Sequence, residues 1–247
     1  PGIPPPVRWI VERCLAKEAD RRYQRAEEVR LALAKVADDL SSRSRSVAVP
    51  AGTPLPPPLL LARVDGDLAF VGRERERQQI GEVWKRAKLG RRQLLLIAGE
   101  PGIGKTRLSL EFARTCADEH ATVLVGRCAE DALVPYQPFV ESLSWYLRVC
   151  PEPALRSQVA TAGGGAELAS FIPALRHRIP DLSASPAMDP EGQRFRLFEA
   201  VAGILAVASR VRPMLLVFDD LHWADKATLL LLRHVMRSSR AASLAII

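Results

Sequence analysis

Eight consecutive residues carry the clearest chemistry in the chain. Gly99-Glu100-Pro101-Gly102-Ile103-Gly104-Lys105-Thr106 fits the spacing G-x-x-x-x-G-K-[ST] at every fixed position. Phosphate is the group that this arrangement suits. Backbone N–H groups of a loop running into a helix point at an anion, and the helix dipole adds to them. Gly102 and Gly104 permit φ values and a close backbone approach that a Cβ would block. The Lys105 ammonium would sit against the outer phosphates, and the Thr106 hydroxyl would ligate Mg2+.

A second run, Leu215-Leu216-Val217-Phe218-Asp219-Asp220, reads as a buried parallel strand ending in two carboxylates. Such a strand places them at the carboxyl edge of the sheet, where open α/β sheets bind ligands. Asp219 would hold Mg2+, through water, and Asp220 would polarise an attacking water. Alone, the run also admits the lesser reading of a strand ending in a capping aspartate. The phosphate loop upstream favours the catalytic reading. Cys116 and His120 share a helix face at i, i+4, but no matched second pair completes a zinc site. Glu111 is expected to be solvated, and Cys128 and Trp145 to belong to the core.

The elements that must position these residues alternate strand and helix from Phe70 onward. Helices are expected over Arg73–Leu89 (closed by Gly90), Lys105–Cys116, Gln193–Ser209 and Thr228–Arg237. Strands are expected over Gln93–Ala98, Thr122–Val125, Met214–Phe218 and Ser243–Ile247. In the long helix, Phe195, Phe198, Val201, Ile204 and Leu205 keep helical spacing on one apolar side. Residues 127–192, broken by prolines and Gly163-Gly164-Gly165, predict short helices and loops. The alternation implies an α/β fold with a parallel sheet covered by helices.

Upstream, residues 1–40 form a helical segment in two parts. One follows Val7, Ile10, Val11, Cys14 and Leu15; the other follows Ala26, Val29, Leu31, Leu33 and Val36. Residues 41–68 are a Ser/Arg/Pro-rich linker, expected to be extended or disordered, and the domain boundary is expected there. Residues 69–247 form the main domain. Two short helices cannot bury a useful core alone. The chain opens on Pro1-Gly2-Ile3 without methionine, so a piece of a longer protein is expected.

Composition narrows the classes further. Of 247 residues, 48% are hydrophobic and 26% charged, which is ordinary globular usage. Four cysteines without a C-x-x-C pair exclude a disulfide scaffold and suggest a reducing, cytoplasmic setting. No apolar run approaches the ~18 residues of a membrane span, so no membrane partner is expected. The net charge of +7 is unevenly placed, because the chain after residue 107 is close to neutral and the excess of Lys and Arg lies in the first 107 residues. There arginines alternate with glutamates, as in Arg73-Glu74-Arg75-Glu76-Arg77, without aromatics between them. That pattern is a solvated helix face, and direct nucleic-acid binding is not expected.

Val71-Gly72-Arg73-Glu74, the loop Gly99 to Thr106 followed by Arg107-Leu108, and Asp219-Asp220-Leu221-His222-Trp223-Ala224-Asp225 occur in an order that resembles AAA-like P-loop ATPases of the STAND class. Gly126-Arg127-Cys128 and Pro135-Tyr136-Gln137-Pro138-Phe139 resemble the bacterial branch found beside LuxR-type regulators, adenylyl cyclases and Ser/Thr kinases. The resemblance covers Phe70 to Ile247. It implies ATP and Mg2+ as ligands, with Gly72, Arg73 and Glu74 near the adenine, Val71 among the nucleotide-binding residues beside them, and the loop through Arg107 on the phosphates. His222 and Trp223 belong to the same signature, and a structural role is expected for them. It also places the Ser243–Ile247 strand between the Gln93 and Met214 strands.

By the same resemblance a fifth strand, a sensor residue, a winged-helix module and helical repeats lie beyond Ile247. Nucleotide binding is expected of this segment, and hydrolysis of the longer protein. The strand at Gln93–Ala98 is expected to present an unpaired, association-prone edge. Arg13-Cys14-Leu15-Ala16-Lys17-Glu18-Ala19-Asp20-Arg21-Arg22-Tyr23-Gln24 resembles the last helices of a bacterial Ser/Thr kinase C-lobe, with Arg22 as its buried arginine and Ala19 where proline is usual. The implied whole is a kinase-linked signal-transduction ATPase. The alternatives are a LuxR-type ATP-dependent transcription regulator, an adenylyl-cyclase-linked ATPase, or a nucleotide-dependent scaffold that does not hydrolyse ATP.

Overall fold

The strand β3 (Met214–Asp219) lies inside the sheet, an apolar run buried on both faces up to its terminal carboxylate. In the computed structural model it pairs in parallel with β2 (Thr122–Arg127) on one side and β4 (Leu244–Ile246) on the other. β4 in turn pairs in parallel with β1 (Gln93–Leu94), giving the order β1-β4-β3-β2. The structure describes residues 5–16, 18, 22–23, 25, 28–29, 32–33, 55–62, 70–131, 134–183 and 189–247. They fall into two units, Pro1–Pro50 and Ala51–Ile247.

Alternation along the strands divides the second unit's core into two layers. Met214, Leu216 and Phe218, with Leu124, Leu244 and Ile246, face one of them. Leu215 and Val217, with Val123, Val125 and Ala245, face the other. The second layer is closed by the helical turn α2 (Leu59–Ala62), α3 (Glu74–Lys88) and α4 (Lys105–Asp118), through Leu61, Ile80, Trp84, Leu108, Ala113 and Cys116. The first is closed by α5 (Gln137–Val149), α6 (Glu152–Ala162), α7 (Gly165–Phe171), α8 (Ala174–Arg178), α9 (Pro190–Val211) and α10 (Lys226–Arg237). The expected α/β architecture, a parallel sheet between helices, is therefore the one observed. β4 lies where the resemblance puts it, between β1 and β3.

Three expectations are corrected. The first strand reaches from Gln93 only to Leu94 as a ladder, plus one further bond from Leu95 N–H to Ile246 O at 2.9 Å, and not to Ala98. Its pairing ends with that of β4. Leu94 and Leu96 stay exposed because the first-layer helices do not cover this edge strand, while Leu95 and Ile97 pack inward. Phe195 is 61% exposed, since the first two turns of α9 stand clear of the layer that buries Phe198. Finally, the end of the Pro-rich segment is packed. Leu61 N–H bonds to Pro58 O at 2.9 Å, and Leu61 is buried in the second layer. Proline is tolerated ahead of a helical turn, and Leu61 gains by burial.

In the first unit α1 (Pro5–Cys14) buries Ile10. The second expected helix, over 26–36, and the linker over 41–54 and 63–68 lie outside the described residues apart from isolated positions. Arg22, expected to be buried, is exposed. It caps the end of the first helical stretch by donating from Nε to Ala16 O at 2.7 Å, which leaves its charge hydrated. The Arg13 guanidinium lies 4.3 Å from the Tyr23 ring centre.

One close approach sets α5 on the sheet. The Pro138 carbonyl oxygen occupies the place where a Cβ on Gly126 would stand, and its carbonyl carbon lies 2.8 Å from that point. Only glycine allows this strand and this helix to touch there. Gly126→Ala should therefore destabilise the protein by about 1–3 kcal/mol, the usual cost of overpacking a tight core. Denaturant unfolding checks it. An unchanged midpoint would contradict the packing described.

Candidate functional site

The loop Gly99–Thr106 leaves β1 and turns into α4 at the carboxyl edge of the sheet. Gly102 (φ 78°) and Gly104 (φ 92°) are in the left-handed region, as the loop's path was expected to require. Gly104 is the residue before α4, and its carbonyl accepts the first helical bond, from Leu108 N–H at 3.0 Å. Glu100 O accepts from Ile103 N–H at 3.4 Å. Lys105 opens the helix, and its ammonium donates to the carbonyls of Gly99 (2.9 Å) and Glu100 (3.0 Å). The cation thus lies along the loop itself.

Thr106 Oγ1 donates to Asp219 Oδ1 at 2.9 Å, joining the phosphate-type loop to the end of β3. Among the described residues no three His, Cys, Asp or Glu side chains converge into a metal cage. A hydroxyl beside a single carboxylate is nevertheless the sparse oxygen set that Mg2+ uses, because it keeps waters and takes phosphate oxygens. The residues present fit Mg2+ with a nucleoside phosphate. Thr106 and Asp219 would hold the ion, and the loop N–H groups and Lys105 would hold the phosphates.

Asp220 is exposed and left-handed (φ 56°, ψ 40°), and its carbonyl accepts from Trp223 N–H at 2.9 Å to start the 3-10 turn Leu221–Trp223. Aspartate tolerates this conformation better than most residues. His222 and Trp223 are both exposed, with ring centres 4.8 Å apart, so neither belongs to the core. Arg73 is left-handed as well (φ 62°), and its guanidinium donates to Ile103 O, linking the start of α3 to the loop. Phe70, Val71 and Arg73 line a cavity of about 250 Å3 with Ile103, Gly104 and Arg107. The guanidinium of Arg107 stands 5.8 Å from the Phe70 ring centre. Of the residues assigned to the adenine, Arg73 lines this cavity and Gly72 and Glu74 do not; Val71 joins it there beside the loop.

Carboxylates gather around Cys128 at this edge. Burial first, then Asp225, Asp220, Asp219 and Glu141, push the Cys128 thiol up to about 11. Cys128 is buried, as expected, and its N–H bonds to Asp219 O at 3.0 Å. Cys116 and His120 do not form a metal pair. Cys116 is buried, with its thiol raised by that burial, while His120 has left the helix at φ 64°. Glu111 is partly buried, with a carboxylate oxygen 3.9 Å from Arg107 Nε. Trp145 packs partly buried against the first layer.

Two residues of the site escaped the sequence reading. Arg127 ends β2 directly opposite Asp219, and its Nη2 lies 3.4 Å from Asp219 Oδ2. Asp225 is the N-cap of α10, accepting from Thr228 N–H at 2.8 Å and from the Thr228 hydroxyl at 2.6 Å. It also accepts from Tyr136 N–H at 3.3 Å, which ties the start of α10 to that of α5. The Asp-x-x-Thr spacing ahead of an apolar helix is a readable capping signal. Nothing in the sequence shows the Arg127 pair.

A family model described as AAA ATPase domain matches residues 69–247. An uncharacterized protein of Rhizobium meliloti (strain 1021) is 28% identical over 180 residues, covering 66% of this chain but only 16% of the relative's length. The chain thus spans about a sixth of that protein. No solved structure matches significantly.

Burial raises the Asp225 carboxyl, but the hydrogen bonds from Thr228, Tyr136 and Ala227 outweigh it and hold the group below its ordinary value. A depressed carboxyl stabilises the fold above its unfolded value of ~4 and loses that contribution as pH falls through the folded one. Asp225→Ala should cost about 1–2 kcal/mol at pH 7, the scale of a lost N-cap. The gap to the parent should narrow on acidification below pH ~4. Urea melts at several pH values check both; a gap constant with pH would refute the electrostatic part.

Proposed function

The chain belongs to the AAA ATPase domain family, and from that membership we propose that residues 69–247 bind Mg·ATP as the switching domain of a multidomain bacterial signalling protein of the STAND class. The observation that carries this reading is the Thr106–Asp219 hydrogen bond, which brings the two oxygen donors for Mg2+ together beside a loop built for phosphate. When bound, Mg2+ supplies charge neutralisation at the β- and γ-phosphates.

The protein's own groups divide the work. The loop from Gly99 to Thr106 cradles phosphate with backbone N–H groups, and Lys105 swings its ammonium from the Gly99 and Glu100 carbonyls to phosphate oxygens. Asp220, the exposed residue directly after β3, would orient a water for attack and accept its proton. Val71, Gly72, Arg73 and Arg107 hold the nucleoside side, supported by the cavity that Val71, Arg73 and Arg107 line. Binding and hydrolysis would then bias the whole protein between two domain arrangements. The kinase-like stretch Arg13–Gln24 supports an upstream Ser/Thr kinase as one of those domains.

Lys105→Ala should weaken Mg·ATP binding by roughly 10- to 100-fold, the scale of a charge-assisted contact. Isothermal titration measures it, and equal affinities would sink the assignment. In the full-length protein Asp220→Asn should bind Mg·ATP normally and turn it over at least tenfold more slowly, within the range general-base catalysis spans. Loss of binding with turnover per bound nucleotide intact would reverse the role given to Asp220.

A further inference from the structure

At the carboxyl edge, strand periodicity puts two side chains in one row. Val123, Val125 and then Arg127 alternate along β2 toward the layer that holds α4, and Leu215, Val217 and Asp219 do the same along β3. The phosphate loop and Thr106 lead into α4 on that same face. Thr106, Asp219 and Arg127 therefore form a line, with Asp219 accepting from Thr106 through Oδ1 and facing Arg127 through Oδ2.

Both ends of this line are built differently. Thr106 is held by the first turn of α4, whereas the Arg127 side chain is 57% exposed and meets Asp219 at 3.4 Å, a loose and single contact. Its backbone, by contrast, is fixed. Arg127 N–H donates to Glu141 Oε2 of α5 at 2.9 Å, and Gly126 beside it is pressed on Pro138. A guanidinium on a fixed backbone, with a weak partner and room to turn, can change partners at little cost.

We propose that Arg127 is a γ-phosphate-reading residue, which exchanges the Asp219 carboxylate for the terminal phosphate when Mg·ATP binds and so distinguishes ATP from ADP. This rests on the nucleotide-binding reading above. The exchange follows from charge. With Thr106 and Asp219 holding a divalent cation, the Asp219 carboxylate would have less to offer Arg127, and the guanidinium would be turned away by like charge. The nearest anion then is the phosphate chain on the same face, for which a planar guanidinium offers paired donors. ADP lacks the terminal group and gives Arg127 no such destination. Through Glu141, the position of Arg127 is also tied to α5, the first helix of the segment between β2 and α9.

The test is the ratio of Mg·ATP to Mg·ADP affinity, titrated on the parent, Arg127→Gln and Lys105→Ala. Arg127→Gln should weaken Mg·ATP about tenfold or more and leave Mg·ADP within about twofold, so that the ratio collapses. Arg127→Lys, which keeps the charge but not the fork, should recover part of it. Lys105→Ala should weaken both nucleotides. Equal losses of ATP and ADP in Arg127→Gln, or no loss, would overturn the proposal and reduce Arg127 to a structural partner of Asp219, with nucleotide binding itself intact. A parent protein that binds neither nucleotide would overturn the underlying reading instead.

Discussion

The hydrogen bond between Thr106 and Asp219 joins residues 113 positions apart, and the rest of the site depends on it. To make it, the loop leaving the edge strand β1 must reach past β4 to the end of β3. In the observed order β4 lies between the two strands that carry the loop and the carboxylate, so the bond spans the width of one strand. That reach fixes the packing of α4, whose first turn presents Thr106 while Leu108, Ala113 and Cys116 anchor it on the sheet. A sheet with β3 displaced one strand further from β1 would separate Thr106 from Asp219.

Around this bond the acidic edge is organised by capping rather than by direct pairing. Asp225 spends its carboxylate on donors from Thr228, Tyr136 and Ala227 and locks α10 to the start of α5. Asp220 spends only its backbone, in a left-handed turn, and leaves its side chain free in solvent. Two aspartates five residues apart thus have opposite fates, one structural and one available for chemistry. The difference follows from position, one residue capping a long helix and the other starting a single short turn.

The parts legible in the sequence were those fixed by local rules. The glycine spacing of the loop, the apolar run of β3 and the strand–helix alternation each follow from residues within a few positions of one another. Element ends moved by a few residues, and the start of α10 at Lys226 instead of Thr228 concealed the capping role of Asp225. Phe195 keeps the helical period of its neighbours yet lies outside the core, because periodicity defines a face and says nothing of where the covering layer stops. Leu61 was hidden among prolines that suggested an open chain, although its own apolar neighbours favoured burial. The Arg127–Asp219 pair was out of reach, since it depends on strand register across 92 positions.

The account stands on Thr106 and Asp219 acting together as the Mg2+ site of a nucleotide-binding loop. Thr106→Val tests this most directly, because valine keeps the shape of threonine and removes the hydroxyl. ATP affinity would be titrated with Mg2+ and with chelator, for the parent and for this variant. The account predicts that the parent binds ATP more tightly with Mg2+ than without, and that Thr106→Val retains metal-free binding while losing most of the gain from Mg2+. A variant that keeps the full gain would contradict it.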